Sequence, residues 1–262
     1  MTTFQEKFGF DDSGVITLVG AGGKTTLMFR LAHELADSSG PVLTTTTTKI
    51  FLPKPEESEQ VIISDNLPDV IARSREMLRY NRHVTAGAGF LEEPGKLTGF
   101  SPDDIKTLWE SGIFRWILVE ADGAAHRSLK APASYEPVIP GCTRWLITLV
   151  GLDVIGKPLD EKWVFRSDLY SRITGLSPGD TVSEASVARA ILHEQGLMKG
   201  CPKETTRFVF FNKAEQEEDR RYGRNIAELL HAAGKQKLAS VFIGSALADP
   251  GQVEHIQINR ET

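Results

Sequence analysis

The sequence predicts an α/β fold in which a mostly parallel, doubly wound sheet carries helices on both faces. Residues 15–19 form a nearly continuous apolar run, which is typical of a strand buried on both faces. A glycine-rich turn follows, and after it Leu27, Leu31 and Leu35 recur every four residues, as on the buried side of a helix. Similar apolar runs alternate with helical patterns along most of the chain, and this alternation favours parallel strands joined by helices.

The glycine-rich turn has the residues of a phosphate-binding loop. Glycines allow backbone N–H groups to approach a polyphosphate, and the N-terminus of the next helix adds a partial positive charge. A lysine there can hold the phosphates, and a threonine hydroxyl can ligate Mg²⁺. We therefore predict a P-loop NTPase-like fold with the nucleotide on Gly20, Ala21, Gly22, Gly23, Lys24, Thr25 and Thr26, with Lys24 catalytic and Thr25 a metal ligand.

The spacing of this loop departs from the usual G-x-x-x-x-G-K-[ST], because position 18 is Leu and the remaining pattern is the shorter G-x-x-G-K-T-T. This shorter loop resembles that of Mur-type ligases, which also bind nucleoside triphosphates. The alternative is a glycine turn that only connects a strand to a helix. The strand pattern directly before the loop and the helix pattern directly after it favour nucleotide binding.

Composition sets bounds on the class of protein. At 262 residues, the chain is long enough for one large α/β domain or for two small ones, and either could bury a substantial core. A net charge of −5 and a pI near 5.8 argue against a general affinity for nucleic acid or for an anionic membrane. The N-terminus lacks a signal-peptide pattern and no apolar run approaches the length of a membrane span, so we expect a cytoplasmic protein. Cys142 and Cys201 have no CxxC partner, which indicates neither a disulfide framework nor a zinc site.

A second strand is predicted to begin at Val42 and to run into five consecutive threonines, residues 44–48, followed by Lys49. Threonine is β-branched and suits a pleated surface, so strand propensity alone can account for the run. Alternatively, the last threonines and Lys49 lie at the carboxyl end of the strand, where ligands of open α/β sheets bind. Both interpretations stay open, and under the second Thr46 is a candidate Mg²⁺ ligand.

The rest of the chain continues the alternation of strands and helices. Further strands are predicted at residues 60–64, 83–86, 115–119, 144–150, 207–211 and 240–247, and helices at residues 67–80, 102–111, 162–174, 183–195 and 216–233. Between residues 151 and 206 no strong strand pattern occurs. We therefore predict one nucleotide-binding domain spanning residues 1–262, with a helical insertion at about residues 151–206.

Two carboxylates stand at the end of the strand predicted at residues 115–119. Glu120 and Asp122 could hold Mg²⁺ against the β- and γ-phosphates, as the acid of a Walker-B-like strand does, and Gly123 completes a [DE]-x-x-G pattern. An acidic surface turn is the alternative. The phosphate-binding loop upstream favours the functional interpretation, so we predict Glu120 and Asp122 as metal ligands and catalytic residues.

Positively charged residues follow directly after these carboxylates. His126, Arg127 and Lys130 could meet a γ-phosphate or an anionic second substrate. A solvated basic turn is the alternative. Arg127 and Lys130 are predicted as catalytic ahead of His126, because a lone histidine is more often structural.

A third motif ends the strand predicted at residues 207–211. Residues 212–215 read Asn-Lys-x-Glu, which is close to the Asn-Lys-x-Asp that reads guanine in GTP-binding folds. A helix and then a strand that ends in Ser-Ala-Leu follow, as in those proteins, although glutamate in place of aspartate leaves both ATP and GTP open. The predicted base-site residues are Asn212, Lys213, Glu215, Ser245 and Ala246.

Several blocks of the sequence together resemble the YqeC family. The blocks are residues 15–48, Glu120-Ala121-Asp122-Gly123, Leu129-Lys130-Ala131-Pro132, Glu136-Pro137-Val138-Ile139-Pro140, residues 151–176 and Phe211-Asn212-Lys213. Members of that family are described as accessory proteins for selenium-dependent molybdenum hydroxylases, so the resemblance implies a pathway rather than a reaction. It also implies a molybdenum hydroxylase or a selenium-donor protein as partner.

Together, these patterns predict Mg²⁺-dependent binding of GTP or ATP, and hydrolysis that serves the maturation of such hydroxylases. The alternative is a small-molecule kinase or ligase that transfers the γ-phosphate to an anionic metabolite held by Arg127 and Lys130, and the Mur-like loop favours it. Slow hydrolysis stimulated by a protein partner would indicate the first function, and phosphate transfer that depends on a metabolite would indicate the second. Neither function involves nucleic acid or a membrane.

Overall fold

The computed structural model describes residues 2–10, 12–234 and 238–258 of the chain. Its helices are α1 (Phe4–Phe8), α2 (Lys24–Ser38), α3 (Leu67–Met77), α4 (Pro102–Glu110), α5 (Ser167–Thr174), α6 (Glu184–Leu192) and α7 (Glu217–Ala233). Its strands are β1 (Gly14–Gly20), β2 (Val42–Thr46), β3 (Lys49–Phe51), β4 (Val61–Ile63), β5 (His83–Gly87), β6 (Gly89–Leu91), β7 (Lys96–Thr98), β8 (Trp116–Glu120), β9 (Leu129–Lys130), β10 (Thr143–Gly151), β11 (Val164–Phe165), β12 (Thr206–Asn212), β13 (Leu238–Ile243) and β14 (Glu254–Gln257).

Nine of these strands form one central sheet in the described part of the chain, in the spatial order β14, β13, β12, β10, β1, β8, β2, β5, β4. All neighbours in it run parallel except β14, which is antiparallel to β13 at one edge. From β1 the chain winds towards β2, whereas from β10 it winds towards β12 on the other side. The predicted doubly wound, mostly parallel α/β sheet is therefore confirmed. Its winding reverses between β1 and β10, and such sheets bind ligands at the carboxyl ends of the strands where the winding reverses.

Helices cover both faces of the sheet, because its central strands are apolar on both sides. On one face, α1 and α2 pack against alternate residues of β1, Ile16 and Leu18. On the other face, α3 and α4 cover β2, β5 and β8, while α5, α6 and α7 cover β10, β12 and β13. The leucines spaced four apart in α2 are fully buried, as their period requires. Among the described residues, no helix combines the length and the apolar character that crossing a bilayer requires.

The helix predicted at residues 162–174 begins only at Ser167, so the predicted start was wrong. Val164 and Phe165 instead form β11, which pairs in parallel with β9 through Phe165 and Lys130. Arg166 then takes a positive φ of 60°, which ends this strand and places the residue before the first turn of α5. A strand of two residues has no measurable period, so apolar spacing could not reveal it.

Two further features give no clear periodic signal in the sequence. Helix α1 is held by a capping box between Thr3 and Glu6 and buries Phe4 and Phe8. A small antiparallel sheet in the order β3, β7, β6 follows the threonine run.

Residues 152–205 join β10 to its neighbour β12, and α5 and α6 within them pack into the same core as β12. The division into one domain with a helical insertion stays a prediction.

Candidate functional site

The turn between β1 and α2 packs tightly against the ends of neighbouring strands. Gly20, Gly22 and Gly23 have positive φ values of 90°, 85° and 121°. A Cβ atom on Gly20 would stand 2.3 Å from the backbone oxygen of Leu149, and one on Gly23 would stand 2.3 Å from Nδ2 of Asn212. Glycine alone meets both the backbone conformation and the close approach. The backbone path of the loop therefore requires glycine at positions 20 and 23.

This loop leaves a row of amide groups without internal partners. Its first three amides donate hydrogen bonds to Asp122, Leu149 and Arg127. The next four amides, those of Gly23, Lys24, Thr25 and Thr26, donate no hydrogen bond to any of the described residues. These four residues line a cleft of about 500 Å³ at the carboxyl edge of the sheet. Unpartnered N–H groups at the N-terminus of a helix attract anions, so the cleft suits a phosphate.

Lys24 lies in this cleft and is only 4% exposed. Its Nζ donates a hydrogen bond of 2.7 Å to the carbonyl of Gly20, and lies 3.2 Å from Oδ1 of Asp122 and 3.6 Å from Oε1 of Glu120. Burial alone lowers the pKa of Lys24, but the two carboxylates outweigh burial and raise it. The ammonium group therefore stays charged, and it is held by carboxylates that a phosphate can replace.

Glu120 is the acid that reaches the cleft from the end of β8. Thr25 donates a hydrogen bond of 2.7 Å from Oγ1 to Oε2 of Glu120. Thr46 is fully buried, and its Oγ1 donates a hydrogen bond of 2.6 Å to the backbone carbonyl of Glu120. Burial raises the pKa of Glu120, while Lys24 and Thr25 act in the opposite direction. Thr25 and Glu120 thus lie side by side at the cleft, and Thr46 fixes the backbone behind them.

The side-chain oxygens of Thr25 and Glu120 in the cleft fit one side of a Mg²⁺ coordination sphere. Among the described residues, no three His, Cys, Asp or Glu side chains come together as a metal site. Mg²⁺, however, is commonly held by one or two carboxylates together with substrate phosphates and water. The Thr25 hydroxyl and the Glu120 carboxylate, 2.7 Å apart, can supply the protein ligands of such a sphere. The remaining ligands of such an ion would come from a polyphosphate and from water.

Asp122 and Lys130 lie behind the cleft and do not line it. Oδ2 of Asp122 accepts a hydrogen bond of 3.0 Å from the Gly20 N–H and lies 3.1 Å from Nζ of Lys130. Arg127 does line the cleft, where its Nε donates a hydrogen bond of 2.6 Å to the carbonyl of Glu161. Of the five residues predicted as catalytic, the fold brings three to the cleft, namely Lys24, Glu120 and Arg127.

Asn212, at the end of β12, ties the glycine loop to a second strand end. Its Nδ2 donates a hydrogen bond of 2.6 Å to the carbonyl of Gly22, and its Oδ1 accepts one of 2.8 Å from the Ala246 N–H. Ser245 is 5% exposed, and its Oγ accepts a hydrogen bond from the Leu247 N–H. Asn212 therefore holds the glycine loop from behind and links it to Ala246.

Lys213 lines the cleft on the side of β10 and β12. Its Nζ donates a hydrogen bond of 2.7 Å to Oγ of Ser128 and lies 2.9 Å from Oδ2 of Asp153. Glu215 is exposed, does not line the cleft and has no partner among the described residues. Ser128 and Asp153 were not predicted as site residues, although Asp153 lies in a block that resembles the YqeC family. The chain segments that carry them meet Lys213 only in the fold.

Positive charge dominates the cleft. Among the described residues, six lysine or arginine side chains line it, against two glutamates. Three of the six, Lys49, Lys54 and Lys96, belong to the small antiparallel sheet or to the chain just after β3, and Nζ of Lys96 lies 4.4 Å from the centroid of the Phe51 ring. Lys49 stands out in the sequence beside the threonine run. Nothing in the sequence singles out Lys54, Lys96 or Phe51, because isolated lysines and a single phenylalanine form no motif.

Comparison with known proteins identifies relatives of this chain. A family model described as YqeC protein matches residues 16–168, which is more than half of the chain. A protein of Escherichia coli (strain K12), described as the uncharacterized protein YqeC, is 32% identical over 241 residues, covering 90% of this chain and 89% of that protein. The region matched by the family model runs from β1 into α5 and includes the glycine loop, Glu120 and Arg127.

Proposed function

This chain belongs to the YqeC family, and we propose that its cleft binds a nucleoside triphosphate, GTP or ATP, together with Mg²⁺ and hydrolyses it. The observation that carries this proposal is the convergence of four unpartnered amides, the charged Lys24 and the Thr25–Glu120 pair on one cleft. Amides and an ammonium group suit a polyphosphate, and a hydroxyl beside a carboxylate suits its Mg²⁺. A ligand that offers only a carboxylate would contact the amides and Lys24, and it would leave the Thr25–Glu120 pair without a role.

The proposed roles follow from the contacts in the cleft. Lys24 exchanges its contacts with Asp122 and Glu120 for the β- and γ-phosphates, while the unpartnered amides hold phosphate oxygens. Thr25 and Glu120 hold Mg²⁺, which when bound neutralises charge on the phosphates. For Thr46 we propose an indirect part, because its hydroxyl already bonds the Glu120 carbonyl. These residues hold the γ-phosphate in position, and phosphoryl transfer depends mainly on such positioning and on charge stabilisation.

Mg²⁺ with ATP or GTP is expected to raise the melting temperature of the protein. A ligand at about a hundred times its Kd adds about 2.7 kcal/mol to the free energy of unfolding, which for a chain of this size is a shift of roughly 5 °C or more. A thermal-shift panel of nucleotides, with Mg²⁺ and with EDTA, measures the effect. Inorganic phosphate is the control ligand. Equal shifts from phosphate and from nucleotides, or no shift from any nucleotide, would sink the proposal.

For the base, we propose that Glu215 accepts hydrogen bonds from the purine edge alongside Lys213. Its carboxylate is exposed and free of partners among the described residues, so it is available to a ligand. Glu215→Ala is expected to change the ratio of ATP to GTP affinity about tenfold, because a hydrogen bond to a charged group contributes about 1.5 kcal/mol. Titration calorimetry measures both affinities, with Glu218→Ala on α7 as the control for an exposed glutamate. Equal changes in both affinities would contradict this assignment.

A second candidate function is transfer of the γ-phosphate to an anionic metabolite, as in a kinase or a ligase. The observation that favours it is the wall formed by β3 and β7, where Lys49 and Lys96 lie beside Phe51 and face the cleft. The cleft carries more positive charge than its two glutamates balance, which leaves room for an anion besides the nucleotide. Arg127 lines the same cleft, whereas Lys130 does not. We therefore assign the metabolite to Lys49, Lys96 and Arg127.

The two candidate functions differ in the fate of the γ-phosphate. Lys96→Gln is expected to leave hydrolysis within about twofold and to lower transfer about tenfold or more, since losing one charged hydrogen bond to the metabolite costs about 1.5 kcal/mol. Turnover of γ-labelled nucleotide with a panel of anionic metabolites measures both reactions. Lys106→Gln on α4 is the control for a lysine far from the cleft. A loss of hydrolysis as large as the loss of transfer would show that Lys96 serves the nucleotide instead.

We assign this activity to the maturation of selenium-dependent molybdenum hydroxylases on the strength of the family resemblance alone. In that role, nucleotide binding or hydrolysis gates contact with a hydroxylase or with a selenium-donor protein. The test is co-purification of such a protein with the nucleotide-loaded chain. Equal recovery with and without nucleotide would rule out gating.

A further inference from the structure

A buried lysine outside the cleft, Lys130 in β9, is not explained by contact with a nucleotide. It has no exposed surface. Its Nζ donates hydrogen bonds of 2.8 Å to Oε2 of Glu136 and 2.5 Å to the carbonyl of Gly123, and lies 3.1 Å from Oδ2 of Asp122. Lysine is almost never fully buried unless its charge is paired. The charge of Lys130 is therefore balanced by the carboxylates of Asp122 and Glu136.

Lys130 stands in the middle of a row of alternating charges that leads away from the cleft. The row consists of Lys24, Asp122, Lys130, Glu136 and Arg166. At its far end, Arg166 donates two hydrogen bonds to the carboxylate of Glu136, of 2.5 and 3.2 Å. Glu136 thus keeps a partner of its own whatever happens at Lys130. Asp122, at the near end, depends on the two lysines that face it.

The two oxygens of Asp122 are held in different ways. Oδ2 accepts the hydrogen bond from the Gly20 N–H and faces Lys130. Oδ1 accepts no hydrogen bond among the described residues, although Nζ of Lys24 lies 3.2 Å away as an ion pair. Lys24 also bonds the Gly20 carbonyl and faces Glu120, so its contacts with Asp122 are shared. Lys24 is therefore the counter-ion of Asp122 that can leave, and Lys130 is the one that stays.

We propose that Lys130 is the permanent counter-ion of Asp122, and that it keeps this carboxylate bonded to the Gly20 amide while Lys24 turns to the phosphates. The inference rests on the proposed nucleotide binding. Without Lys130, the departure of Lys24 would leave Asp122 as an unpaired buried charge close to a polyphosphate, which is strongly unfavourable. With Lys130 in place, the glycine loop keeps one shape in both states. Lys130 is a positioning residue, because it acts on the ligand through Asp122 and Gly20.

The free protein tests the first half of this inference without any nucleotide. Hydrogen exchange of the Gly20 amide, followed by NMR, reports on its bond to Asp122. Lys130→Met is expected to speed this exchange about tenfold or more, because Asp122 then keeps only Lys24 as a counter-ion, and Lys24 also contacts Glu120 and the Gly20 carbonyl. Lys106→Met, an exposed lysine of α4, is the matched control and is expected to leave the exchange unchanged.

A double variant separates the charge of Lys130 from its packing. In the background of Asp122→Asn, adding Lys130→Met is expected to change Gly20 exchange less than about threefold, because the charge that Lys130 balances is already gone. An effect as large as in the wild-type background, or no effect of Lys130→Met in either background, would overturn the inference. If Lys130→Met does not fold, the double variant is still expected to fold, since it lacks both charges. Failure of both variants to fold would assign Lys130 a packing role and would also overturn it.

Nucleotide affinity tests the second half. Lys130→Met is expected to weaken binding of Mg²⁺·ATP or Mg²⁺·GTP about tenfold, and the same change in the Asp122→Asn background is expected to matter less than about threefold. An unchanged affinity in folded Lys130→Met would overturn this half. If the wild-type protein binds neither nucleotide, the proposed function fails. The exchange rates of the free protein then still decide whether Lys130 holds Asp122 on Gly20.

Discussion

Lys24→Ala is expected to lower the affinity for Mg²⁺·ATP and Mg²⁺·GTP about a hundredfold or more. Lys24 carries a positive charge in the cleft next to the unpartnered amides. Its Nζ lies within 3.6 Å of the carboxylates of Glu120 and Asp122, and we expect it to exchange these contacts for a phosphate. Hydrogen bonds from a charged group contribute up to about 3 kcal/mol each, and that energy corresponds to about a hundredfold in Kd. Titration calorimetry on the wild type and the variant measures the difference.

The same substitution removes a counter-ion from two buried carboxylates, so folding needs a separate measurement. Lys130 still faces Asp122 and Thr25 still donates to Glu120, so we expect Lys24→Ala to fold with a lowered melting temperature. Circular dichroism and thermal unfolding test this, with Lys106→Ala as the control for loss of a remote lysine. Unchanged nucleotide affinity in a folded Lys24→Ala variant would show that the phosphates bind elsewhere.

The glycine loop and its sheet could be predicted from the sequence because their constraints are local. A strand buried on both faces reads as the apolar run at residues 15–19, and the leucine period marks α2. The glycines mark the point where the backbone must take positive φ against β10. On the same grounds, the sequence predicts the carboxylates of Glu120 and Asp122 near the glycine loop, since parallel strands end at one edge of a sheet. The structure then places Glu120 beside Thr25.

The other wall of the cleft could not be predicted, because it depends on very short strands. β3 and β7 have three residues each, too few for a period, yet their pairing brings Lys96 next to Phe51 at the cleft. The same limit applies to Lys130, which the sequence groups with Arg127 as a cation near the phosphates. The two-residue pairing of β9 with β11 instead holds Lys130 in the interior, while Arg127 stays at the cleft.

Gly23→Ala is expected to weaken nucleotide binding about as much as Lys24→Ala, although it removes no functional group. The added Cβ would stand 2.3 Å from Nδ2 of Asn212, and the φ of 121° at this position is one that alanine rarely adopts. Asn212 cannot move aside without loosening its bonds to the Gly22 carbonyl and the Ala246 N–H. The loop must therefore change its path, which costs on the order of 1–3 kcal/mol in backbone strain alone.

This change of path is what weakens binding, because the four unpartnered amides hold phosphate only while they point into one cleft. Calorimetric titration with Mg²⁺·ATP and Mg²⁺·GTP measures the loss, and thermal unfolding measures the accompanying drop in stability. Gly141→Ala is the matched control, since a Cβ there meets no atom within 4 Å and its φ is not positive. A folded Gly23→Ala variant that binds nucleotide like the wild type would mean that phosphate recognition does not depend on the shape of the loop. Lys24 and Glu120 would then have to hold the ligand without the amides.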